Sequence, residues 1–177
     1  MDYVNTVPLA QFYEVSADMR TPYWVCGGLQ DNGSWCGPSR TLSQQGIGNE
    51  DWFRVGGGDG FFTANDPTDH NIVYVESQDG NVARFDLATG ERRVIRPEPP
   101  DEERYRFNWN SPILISPHDP KTIYYGGHRL FGSKDRGETW SLRTPDLTNG
   151  AERDAMTIFG KAAKEFLSRN DGEETKQ

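Results

Sequence analysis

The sequence predicts an all-β fold of repeated short-stranded units, on three observations. Hydrophobic residues make up 34% and aromatics 12% of the 177 positions, with 19 Gly and 11 Pro, a profile of many short strands and turns rather than helices. The chain is also self-similar. ISPHDPKTIYYGGHRLFGSKD repeats the pattern of ANDPTDHNIVYVESQDGNVARFD, so that Ile123-Tyr124 fall on Val73-Tyr74, and VSADMRTPYWVCGGLQDNGSW is a weaker copy with Trp24 and Val25 near the same register. The third observation is the octapeptide SKDRGETW, Ser133 to Trp140, which fits Ser-x-Asp-x-Gly-x-Thr-Trp at every constrained position.

Each copy reads strand, Asp/Pro turn, strand, Gly/Asp/Asn turn, strand. The first unit, 11–56, has strands near 11–17, 23–28, 33–37 and 51–56. The second, 60–96, has them near 60–65, 72–76, 81–86 and 91–96, and the third, 112–143, near 112–116, 122–126, 129–133 and 139–143. Units of four short strands joined in this way are expected of blades, and about three of them make a partial β-propeller. The last turn of each unit differs. In the third it is the octapeptide, where Asp135 can accept hydrogen bonds from turn amides, Gly137 can take a positive φ and Trp140 can tuck its ring under the turn, with Ser133 and Thr139 at the remaining fixed positions. In the second, FDLATGE gives Asp86 and Gly90 similar work without the Trp. In the first, GPSRTLSQQGIGNE runs on before Trp52, which makes that unit's outer half the least regular.

After Pro145-Asp146-Leu147-Thr148 the pattern changes. Ala155, Ile158, Phe159, Ala162 and Phe166 recur at helical spacing and predict a C-terminal amphipathic helix over 153–168 packed against the sheets. Gly160 weakens that helix by about 1 kcal/mol. The expected organisation is therefore 1–150 as strand units and 151–177 as helix and polar tail.

The octapeptide resembles the Asp-box of sialidase and BNR-repeat β-propellers. GGLQDNGSW, GGGDGFF, RFNWNSPILISPHDP and TPDLT extend the resemblance, over roughly residues 8–150, to large bacterial proteins of the BNR-repeat, sortilin-type group that often carry the label glycosyl hydrolase. The resemblance implies that these segments belong to a longer propeller, typically in exported proteins, and that this chain is a fragment of about three blades. The hydrolase label spreads through the shared box, which is structural, so it implies no activity.

A net charge of -8 and a pI near 4.9 give no basic footprint for nucleic acid or an anionic membrane. The opening MDYVNTVPLAQFYEVSADMR lacks the features of a signal peptide, and no apolar run is long enough to span a membrane. The compartment is not legible. His70, His118 and His128 lie in separate loops without paired spacing, and NDPTDHN lacks a calcium-loop rhythm, so neither metal nor cofactor is expected. Asn32-Gly33-Ser34 matches a glycosylation acceptor by coincidence. A hairpin around Asn32-Gly33 sets Cys26 and Cys36 close but leaves their pairing open, with two free, half-buried thiols as the expectation. The acidic, Pro-rich stretch 97–107 reads as a solvated loop between units, with a polypeptide-binding lip as the alternative.

Propeller geometry would gather the loops after second and fourth strands at one end and the octapeptide turn at the other. The ligand end then holds Gln30, Asp31, Trp35, Asp59, Gln78, Asp79, Arg106, Asn108, Trp109, Asn110, His128 and Arg129. Asp31, Asp59 and Asp79 are the candidate carboxylates for glycoside hydrolysis, and Trp35 or Trp109 could stack on a sugar. Asp31-Asn32-Gly33 and Asp79-Gly80 are equally ordinary turn formers. No arginine set suggests a sialidase. The expected function is non-catalytic binding of polypeptide or carbohydrate, with a glycoside hydrolase fragment as the alternative. A partial ring also leaves open sheet faces, which the remaining blades of a longer protein or self-association would cover.

Overall fold

Among the described residues up to Leu142, turn residues cut the chain into twelve short strands, each antiparallel to its neighbours within a sheet. The computed structural model describes residues 11–100, 104–151, 156–158 and 160–162. Three four-stranded antiparallel sheets result. The first contains β1 (Phe12–Ala17), β2 (Trp24–Leu29), β3 (Gly33–Pro38) and β4 (Phe53–Gly56), and the second β5 (Gly60–Asn65), β6 (Ile72–Ser77), β7 (Asn81–Asp86) and β8 (Arg92–Val94). The third contains β9 (Ile113–Ile115), β10 (Ile123–Gly126), β11 (Leu130–Ser133) and β12 (Ser141–Leu142). All three are simple meanders in which each strand pairs with its sequence neighbour.

The repeat extends to single hydrogen bonds. The first turn of every sheet is closed by the same backbone bond: Asp18 N–H to Trp24 O, Asp66 N–H to Ile72 O and Ser116 N–H to Thr122 O. A short polar side chain heads each of these turns. Asp18 accepts from the amides of Arg20 and Trp24, Asp66 from those of Thr68 and Asp69, and Ser116 Oγ from that of His118. Such side chains stand in for backbone acceptors where the chain cannot yet pair with a neighbouring strand.

Two hydrophobic layers hold the sheets together. Cys26, Cys36 and Val55 of the first sheet pack with Val73, Val75 and Ala83 of the second. Tyr74, Val82 and Ile95 on the other side of the second sheet pack with Ile113, Ile123, Tyr125 and Phe131 of the third. Residues 73, 74 and 75 thus alternate between the two layers, as a strand buried on both faces requires. Polar stitches flank the apolar layers. Thr63 Oγ1 donates to Cys26 O at 3.1 Å, and Ser16 Oγ donates to Asn65 Oδ1 at 2.6 Å. Between the second and third sheets, Arg84 and Arg93 both pair with Glu138, Arg136 pairs with Asp66, and Arg84 Nη1 donates to Arg136 O.

Three expectations are corrected. Cys26 and Cys36 are not free thiols; they form a disulfide, because the β2–β3 register places them directly opposite on the same face, with both fully buried. Residues 97–107 are not simply a solvated loop. Pro97 is fully buried, while Tyr105 and Phe107 pack on the second layer. Where a C-terminal helix over 153–168 was expected, β13 (Thr157–Ile158) and β14 (Lys161–Ala162) form a two-stranded hairpin turned by Gly160 at φ 79°. A glycine in that left-handed region ends helical propagation and suits a tight turn. The rest of the expected helix lies outside the described residues. The chain divides into a compact unit up to Pro145, which holds the three sheets, and a second from Asp146.

Candidate functional site

One end of the three sheets carries the β2–β3, β4–β5, β6–β7, β8–β9 and β10–β11 connections, and the candidate site is built from these loops. Tight reversals shape them. Asp31 and Asp79 take left-handed φ of 60° and 64°, next to Gly33 at 76° and Gly80 at 76°. Both aspartates therefore do turn work, at a backbone conformation that Asp tolerates better than most residues.

Side chains tie the loops into a line. The Asp31 amide donates to Asp59 Oδ1 at 2.5 Å, and the Asp59 amide donates to Gln78 Oε1 at 2.9 Å. From Gln78 the line passes through Gly80, where any Cβ would collide with the Phe107 ring. Phe107 also lies against Gly127, and Arg106 and His128 pair through their backbones and the His128 Nδ1 atom. Arg96 stacks over the outer face of Phe107 at 5.2 Å. Asp31, Asp59, Gln78, Asp79, Arg106 and His128 are thus brought to one end. Gln30, Asn108, Trp109 and Asn110 stand exposed along it, Trp109 at 44%, while Arg129 is half-buried beside His128. Trp35 lies on the face of β3 opposite Cys36, and its indole donates to Asn32 O in the β2–β3 turn.

Glu76 is absent from the sequence-based candidates, yet it is the most unusual group near the site. Only 1% exposed, its carboxylate accepts the Ser111 amide at 3.0 Å and faces the Phe62 amide. Burial pushes its pKa up to about 8, with the Asp79 carboxylate adding to the rise and the two amides opposing it. The available signal was one acid in the run Ile72-Val73-Tyr74-Val75-Glu76. Strand alternation sets it on the face of Ile72 and Tyr74, but a lone carboxyl at the end of the run gives no sign that this face is covered there. Glu76 lies under the loops rather than among them, and it ties the second sheet to the start of β9.

The opposite end holds the SKDRGETW turn. Ser133 Oγ donates to Asp135 Oδ1 and accepts the Gly137 amide, and Asp135 accepts both the amide and the hydroxyl of Thr139 at 2.9 and 2.6 Å. Gly137 has φ 90°, and the Trp140 indole reaches across to donate to Ile95 O at 2.7 Å. These hydrogen bonds, the Thr139 hydroxyl first, hold the Asp135 carboxyl down to about 2. Within the turn, Ser133, Asp135 and Thr139 thus satisfy one another's side chains. Among the described residues, no three His, Cys, Asp or Glu side chains gather as a metal site, and no helix is long and apolar enough to cross a membrane.

The class these features define is an all-β protein of three stacked four-stranded meanders with a polar, aromatic-bearing loop end. In comparisons with known proteins, no family model matches the chain and no curated protein matches it.

Proposed function

We propose that the three sheets are blades of a partial β-propeller of the BNR-repeat type, SKDRGETW being its Asp-box, and that the chain is a non-catalytic segment binding polypeptide or carbohydrate across its loop end. The observation that carries the reading is the continuous line from Asp31 through Asp59 and Gln78 to Phe107 and His128, which joins loops of all three sheets into one surface. Gln30, Asn108 and Asn110 provide amides that can both donate and accept, and exposed Trp109 provides a flat apolar face; sugars and extended peptides need that combination. The non-catalytic part of the reading rests on the carboxylates. Asp31 and Asp79 stand at left-handed turn positions and Asp59 accepts the Asp31 amide, so a turn-forming role accounts for each of the three.

An array of immobilised glycans and unstructured peptides tests this. Wild type is expected to bind a restricted set, and Trp109→Ala to lose at least about fivefold in affinity, since ring stacking and burial are worth about 1 kcal/mol or more. Release of reducing sugar that stops in Asp59→Asn would replace the binding reading with the hydrolase one.

A further inference from the structure

The outer face of the third sheet carries an apolar concavity of about 390 Å³, lined by Pro112, Leu114, Tyr124, Gly126 and Leu130. Strand register identifies these positions. Leu114 pairs with Tyr124 as Ala64 pairs with Tyr74 and Ser16 with Cys26, and Gly126 pairs with Leu130 as Glu76 pairs with Val82 and Gly28 with Ser34. Cys26 and Ser34 are buried against the second sheet, and Tyr74 and Val82 against the third. Among the described sheets none packs on the last set, and Leu114 is 62% exposed. The groove is therefore the seat that a following sheet occupies twice already in this molecule.

The matching face is also present on the chain. The far side of the first sheet is floored by Gly27 and Gly37, over which the rings of Phe12 and Trp52 lie, and Val15 beside them is 58% exposed. Gly27 and its partner Trp35 stand where Val75 and Ala83 stand in the second sheet and Tyr125 and Phe131 in the third, the positions that pack onto a preceding sheet. Charge follows the same order. Arg84 meets Glu138 of the next sheet's last turn, and Arg143 lies against Gly132, the register counterpart of Arg84. The corresponding connection of the first sheet, between β3 and β4, carries Glu50 and Asp51.

We infer that the groove of Leu114, Tyr124 and Leu130 receives the first sheet of a second copy of this chain, Arg143 facing that copy's Glu50 and Asp51, and that two such contacts close a two-fold dimer of six sheets. Six blades fall within the range of closed propellers, and closure removes both open faces. The closure rests on the propeller reading, whereas the docking face rests on register alone.

Analytical ultracentrifugation of the full chain with Leu114→Asp and Val15→Asp tests the inference. Both side chains are exposed, so each variant should still fold, read as a far-ultraviolet spectrum unchanged from wild type, and any fall in thermal midpoint should be no larger than the loss of association accounts for. Wild type is expected as a dimer at micromolar concentration, and each variant as a monomer, about a hundredfold weaker in self-association because a carboxylate would be buried unpaired. An equimolar mixture of the two variants should recover a one-to-one complex, since one of its contacts is intact. A monomeric wild type overturns the docking site. A Val15→Asp protein that still dimerises overturns the head-to-tail arrangement in favour of third sheet against third sheet. Open-ended polymers blocked by both variants support the docking site but overturn ring closure, and the propeller reading with it.

Discussion

The chemistry of single residues is sharpest at Glu76 and Asp135, two carboxyls displaced in opposite directions. Glu76 has its folded pKa raised from 4.5 to about 8 by burial, so it favours the folded state fully below about pH 4.5 and loses that contribution as pH rises through about 8. Wild type should therefore weaken between pH 5 and 8 by an amount on the order of a few kcal/mol, and Glu76→Gln should flatten that slope. Denaturant midpoints at the two pH values check this; parallel slopes would mean that the carboxyl is not desolvated. Asp135 behaves inversely. Its pKa is depressed from 3.8 to about 2, so its contribution is present above pH 4 and disappears as pH falls through 2. Trp140 anchors the same turn to Ile95 and the second layer. Trp140→Ala should cost about 3 kcal/mol, read as a lower denaturant midpoint with an unchanged far-ultraviolet spectrum.

Among the elements, the strands were legible because the turns were. Asp66, Asp86 and Asp135 each head a reversal whose hydrogen bonds are local, so sequence spacing alone locates them. The disulfide was not legible, because pairing depends on a register that places Cys26 opposite Cys36 rather than one residue away, on the other face. Glu76 was hidden for a related reason: β6 is covered on one face by the first sheet and on the other, where Glu76 lies, by the third, and no local pattern of β6 encodes that second cover. The C-terminal helix failed differently. Ile158 and Ala162 suit helical spacing, but Thr157 and Ile158 are β-branched and Gly160 takes a left-handed φ, so the four residues also suit a hairpin. The disulfide supplies the test at this scale. Cys26→Ala/Cys36→Ala should lower stability by about 2 to 3 kcal/mol, as expected for a short closed loop, and equal denaturant midpoints would show that the register alone holds β2 to β3.

At the scale of the whole molecule, the loop end and the octapeptide end divide the work. The octapeptide end spends its polar groups on itself and on ion pairs between sheets. The loop end joins three sheets while leaving Gln30, Asn108, Trp109 and Asn110 exposed. Its candidate residues were legible as loop members, but the line that connects them was not, because Gly80 and Gly127 meet Phe107 only in three dimensions. Under the proposed function, ligands bind at this end. Hydrogen–deuterium exchange of the full chain, with and without the strongest ligand from the glycan and peptide array, tests it most directly. Protection is expected at amides of 57–59, 78–80, 106–110 and 127–129, with the 133–140 turn unchanged; protection centred on 133–140, or none at the loops, would contradict it.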